Sequence, residues 1–78
     1  MITNELKQVI LASLQLDDWD IRDDTMAGEV PGWDSLSHVN VIRAVEKRFG
    51  VLFKTREVLT LKNVGDLQRL VDSKLHER

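Results

Sequence analysis

The 78 residues carry a net charge of −2, with 42% apolar and 31% charged side chains and no cysteine. That length supports a single domain over residues 1–78, with a small core and no room for a deep catalytic cleft. The missing cysteines exclude disulfides and thiolate metal sites, while the lack of a leader-like or membrane-length apolar run makes a cytoplasmic protein with no membrane partner the expectation.

Leu6, Val9, Ile10 and Leu14 recur at helical spacing, which predicts a first helix over roughly residues 4–15, with Thr3 or Asn4 as N-cap. From Leu16 to Asp34 no period holds, and nineteen residues without regular structure is long for a compact domain. Trp19, Ile21, Met26 and Val30 are the candidates for pinning this loop to the core. Its acids, including Asp17-Asp18 and Asp23-Asp24, match no calcium-loop spacing and read as solvated charge, so no metal site is assigned. Pro31-Gly32 then turns the chain into Trp33-Asp34-Ser35-Leu36. Asp34 has the chemistry of an N-cap, which makes Ser35 the first residue of a second helix running to about Phe49 and closed by Gly50. A hydroxyl at a helix start lies beside unpaired N–H groups and the positive end of the dipole, a place suited to a phosphate-bearing serine.

On that second helix Val41, Ile42, Val45 and Phe49 gather on one face, with Val39 at its edge. Leu36, Asn40, Arg43 and Lys47 fall on the opposite face and read as a partner-docking stripe. The competing reading is an ordinary solvated face with one stray leucine. His38 lies on the apolar side, where a hydrogen-bonded boundary residue is expected. Thr55 is the candidate cap of a short helix through about Leu61. Asn63 is the candidate cap of a last helix whose stripe is Val64, Leu67, Leu70, Val71 and Leu75. The expected fold is all-α: a small up-down bundle of three main helices plus one short helix, monomeric.

Charge is unevenly distributed. Between Asp17 and Asp34 seven acids face one base, Arg22, whereas from Ser35 onward nine bases face five acids. With no dominating basic helix and an acidic loop, nucleic acid is not an expected partner. A hydrolase built on Asp34, Ser35 and His38 is also disfavoured. Neighbours within one helical turn point apart, whereas triad members converge from separate segments. The glycine positions of a nucleophile elbow are held by Trp33 and Ser37. No catalytic residue is assigned, and the chain is not expected to be an enzyme.

Asp34-Ser35-Leu36 after Gly32-Trp33, the helix end Glu46-Lys47-Arg48-Phe49-Gly50-Val51, and Asn63-Val64-Gly65-Asp66-Leu67 together resemble the acyl carrier proteins over essentially the whole chain. The resemblance implies that a phosphopantetheinyl transferase attaches 4′-phosphopantetheine from coenzyme A to Ser35 through a phosphodiester, making the chain a phosphoprotein. The arm's thiol would carry acyl or aminoacyl groups as thioesters between loading and transferring enzymes, which removes the need for a cysteine. Asp34 would belong to the modification motif and Leu36 would contact partners beside the arm. Carriers of housekeeping fatty acid synthesis have a markedly acidic second helix. Here Ser37, Asn40, Arg43 and Lys47 stand where acids or apolar residues are common in those carriers, and Glu46 is the single acid of that helix. Together with Trp33, this departure points to a specialised pathway: polyketide, peptide or modified fatty acid biosynthesis. The alternative is a helical adaptor that binds protein partners and is never phosphopantetheinylated.

Overall fold

The computed structural model describes residues 2–76. Four helices form: α1 (Asn4–Leu14), α2 (Ser35–Phe49), α3 (Thr55–Leu59) and α4 (Val64–His76), with a 3₁₀ turn at Ala27–Glu29 inside the long loop. The all-α bundle of three longer helices and one short one is as expected, and no strand occurs among the described residues. No helix among them is long and apolar enough to cross a membrane.

Each helix begins and ends where local chemistry provides partners for its loose backbone groups. The Thr3 hydroxyl accepts from the Leu6 N–H, capping α1. Gln15 closes α1 in the left-handed conformation at φ 58°, and the Leu16 N–H returns to the Leu11 carbonyl. Gly50 ends α2 at φ 68°, a conformation that costs glycine little, and both its own N–H and that of Val51 donate to the Glu46 carbonyl. The side chain of Asn63 accepts from the Asp66 N–H at 2.8 Å, the expected cap of α4. The short helix differs from expectation. Lys54, not Thr55, occupies its cap position, because the Glu57 carboxylate accepts the Lys54 N–H. It stops at Leu59, where the Thr60 hydroxyl takes the Glu57 carbonyl.

The core is drawn from α1 (Leu6, Ile10, Leu11), α2 (Val41, Ile42, Val45) and α4 (Val64, Leu67, Val71). Full burial of such a side chain is worth about 1.5–3 kcal/mol. The loop adds Ile21, Val30 and Trp33. Of the four residues expected to pin the loop, Ile21 and Val30 do so, while Trp19 and Met26 are 41% and 56% exposed. Backbone bonds supply the rest of the loop's order. The Val64 N–H donates to the Thr25 carbonyl and the Gly65 N–H to the Asp23 carbonyl, so the loop satisfies the first turn of α4. Gly65 is required for this approach, since a Cβ there would lie 2.8 Å from the Asp23 carbonyl oxygen. Gln68, 4% exposed, binds the start of α1 to α4: its carbonyl oxygen accepts from both the N–H and the hydroxyl of Thr3.

Candidate functional site

The start of α2 is held by a reciprocal cap. Asp34 has extended backbone, and one of its carboxylate oxygens accepts from the N–H groups of Leu36 (3.0 Å) and Ser37 (2.9 Å). The Asp34 N–H donates to the Ser37 hydroxyl oxygen at 2.8 Å, and that hydroxyl donates to the Gly32 carbonyl at 2.6 Å. The Ser37 N–H, with that of Leu36, holds the Asp34 carboxyl below its ordinary range. It is therefore ionised at neutral pH.

The two serines of this turn have been given different jobs. Ser37 is consumed by the cap. Ser35 is exposed and its hydroxyl makes no hydrogen bond among the described residues. The cap also changes one detail of the expected picture. Two of the N–H groups that would receive a phosphate at this helix start are already taken by Asp34, so a phosphodiester on Ser35 would project into solvent. The site nevertheless fits such a group: a free primary hydroxyl, reachable from outside, on a first turn whose backbone is fixed independently of it.

Behind the turn, Trp33 is 8% exposed, and its indole N–H donates to His38 Nδ1 at 3.0 Å. The two rings lie edge to edge and not far from coplanar, with centroids 6.0 Å apart and 26° between planes. The acceptor role requires Nδ1 to be unprotonated. His38 is thus a hydrogen-bonded boundary residue, as its place on the helix wheel suggested. Its partner was not foreseen, because a contact spanning five residues across a helix start has no sequence signature. The Ser37 half of the cap was legible in principle, since a hydroxyl three residues after an Asp cap can return the bond.

Along α2, Leu36, Asn40, Arg43 and Lys47 are all exposed, Leu36 to 84%. Val39, placed at the edge of the apolar face, is 51% exposed. It lines an open groove of about 240 Å³ between α2 and α3, together with Ile42, Arg43, Glu46, Val58 and Leu59. No group of three or more potential metal ligands gathers among the described residues.

Residues 4–71 match the family described as phosphopantetheine attachment site. The chain is 25% identical over 72 residues to the acyl carrier protein of Wolinella succinogenes, covering 92% of this chain and 95% of that one. The solution NMR structure of the holo acyl carrier protein from Geobacter metallireducens superposes with a TM-score of 0.86 at 38% identity, covering 92% of this chain and 83% of that one. Fold, turn and match agree: the chain belongs to the acyl carrier protein family, whose cofactor is covalently attached 4′-phosphopantetheine.

Proposed function

We propose that Ser35 is the attachment residue and that the protein carries acyl or aminoacyl groups in a dedicated biosynthetic pathway. The observation that carries this reading is the contrast within one helical turn: the hydroxyl of Ser37 is committed to the cap, while that of Ser35 is exposed and uncommitted. In the transferase's active site, Ser35 Oγ attacks the phosphorus of coenzyme A that bears the pantetheine. The new phosphodiester bond forms as the nucleotide half leaves, and the serine proton passes to a base on the transferase. The arm supplies a terminal thiol on which acyl or aminoacyl groups ride as thioesters. This chain's own residues do the positioning. Asp34 fixes the first turn of α2, Leu36 offers an apolar contact beside the serine, and Asn40, Arg43 and Lys47 extend that contact along the helix. Tethering the cargo raises its local concentration at each successive enzyme, so the carrier itself need not catalyse anything.

The dedicated-pathway reading is supported by the cationic exposed face of α2, which suits a restricted set of partners. A cytoplasmic monomer remains part of the proposal. The test is mass spectrometry of the intact protein after incubation with a broad-specificity phosphopantetheinyl transferase and coenzyme A. Wild type and Ser37→Ala should gain one phosphopantetheine and Ser35→Ala none. Addition to Ser35→Ala, or no addition to wild type with several transferases, overturns the assignment.

A further inference from the structure

The charges of α2 and α3 differ in how they are used. Glu46 turns its carboxylate to the Phe53 N–H at 2.8 Å. Glu57 accepts the Lys54 N–H and pairs with Lys74 at 3.0 Å, its side chain 26% exposed. Both acids of these two helices are thereby engaged with the protein. Of the cations, Arg48 is paired with Glu5. Arg43, Lys47 and Arg56 are exposed and form no ion pair among the described residues, and Lys54, also exposed, lies near enough to Glu57 to lower its pKa. Arg43 lines the α2–α3 groove, Lys47 follows one turn later, and Arg56 stands one turn before the groove residue Leu59. The groove's outer edge is apolar: Val39 is 51% exposed and Leu59 79%. The chain as a whole is acidic, so this excess of positive charge belongs to the face and not to the protein.

We infer that the α2–α3 face docks partner enzymes through an acidic surface on the partner, with an apolar side chain of the partner entering the groove beside Val39 and Leu59. The inference rests on the carrier reading of Ser35, which lies at the start of the same helix. Charge complementarity selects the partner's sign. This excess of exposed cations repels a basic patch and steers an acidic one, while the groove provides the water-excluding contact that charges at a rim do not. Glu46 and Glu57 keep their negative charges, but across α2, α3 and the turn between them they are outnumbered by Arg43, Lys47, Arg48, Lys54 and Arg56.

The test uses defined probes on the full chain. An acidic peptide of Asp and Glu around a single leucine, its Lys-substituted counterpart, and vesicles of phosphatidylglycerol or phosphatidylcholine are titrated into labelled protein and followed by amide shifts. The acidic peptide should perturb Val39, Arg43, Lys54, Arg56 and Leu59, and the basic one should not. Arg43→Glu with Lys47→Glu should weaken the acidic peptide roughly tenfold, and raised salt should do the same. These are exposed positions, so an unchanged melting temperature certifies the fold. Equal binding of the two peptides, shifts confined to the acidic loop, or binding to phosphatidylglycerol vesicles alone overturns the proposal, the last in favour of a membrane surface. Ser35→Ala is run in parallel. Peptide binding retained with mass addition absent from wild type would sink the attachment reading and leave the docking face standing.

Discussion

The stretches on the two sides of Ser35 reach order by opposite routes. After it, α2 is a regular helix whose apolar residues recur with the helical period and bury Val41, Ile42 and Val45. Before it, residues 16–34 have no period and only one 3₁₀ turn, yet they bury Ile21, Val30 and Trp33 to a similar degree. Periodic hydrophobicity orders the first. Backbone bonds to α4, and one indole bond to α2, order the second. The loop is therefore part of the site's scaffold, and its stability should depend on positions outside its own sequence and away from the serine.

The largest effect should come from the fastening at α4. In Gly65→Ala the new methyl meets the Asp23 carbonyl oxygen at 2.8 Å and its Cα at 3.2 Å, so backbone must shift. Overpacking of this kind costs about 1–3 kcal/mol, and a domain of this size loses about 4–8 °C of melting temperature per kcal/mol. Amide exchange at Val64 and Gly65 should rise with it. Gly28→Ala is the matched control: nothing lies within 4 Å of its Cβ position, and a change within ~0.5 kcal/mol is expected. Equal effects at the two glycines would mean that the loop is not fastened where the hydrogen bonds place it.

Next comes the joint between loop and helix behind the serine. His38→Phe keeps a ring against Trp33 but removes the acceptor of its indole N–H, which stands on a residue 8% exposed. An unsatisfied buried donor costs ~1 kcal/mol or somewhat more. Trp19→Phe, at a 41% exposed residue, should cost less than half of that. Thermal melts give the energies, and the Trp33 indole proton signal should move in His38→Phe while the Trp19 signal stays put. If both variants melt with wild type, the ring pair contributes nothing to holding the turn.

These variants also mark where the sequence was readable. Asp34 as a cap, Gly50 as a helix stop, Asn63 as a second cap and the face of α2 are all local chemistry, decided by residues a turn apart. So was the exposure of Ser35, because a residue just inside a capped helix start on the polar side points outward. Contacts between distant segments were not readable. Thr3 and Gln68 meet across most of the chain, and the Asp23 and Thr25 carbonyls meet the start of α4 only once the bundle has closed. Which loop tryptophan is buried was hidden for the same reason. Trp19 and Trp33 both sit in aperiodic sequence, and only the approach of His38 gives one of them a partner for its N–H. The bond from the Phe53 N–H to the Glu46 carboxylate is likewise a contact across a helix end that no period announces.

The smallest effect should lie at Asp34 itself, and its signature is a pH dependence. The Ser37 N–H, with that of Leu36, lowers its pKa in the folded chain. A carboxyl whose folded pKa is depressed contributes stability that is present above its unfolded value, about 3.9, and is lost as pH falls through the folded value. Asp34→Asn retains an oxygen that can cap the helix but has no charge to lose. The wild type should therefore melt slightly higher than Asp34→Asn at neutral pH, with the gap closing in the acid limb. Glu57, held low by the Lys54 N–H and then by Lys74, and Asp66, held low by the Lys62 N–H and then by Arg69, titrate in the same direction. Both are present in the two proteins, so the difference between the melting curves isolates Asp34. A gap that stays constant from neutral pH into the acid limb would show that the cap joins loop to helix by geometry alone, with the charge beside Ser35 free to serve the transferase.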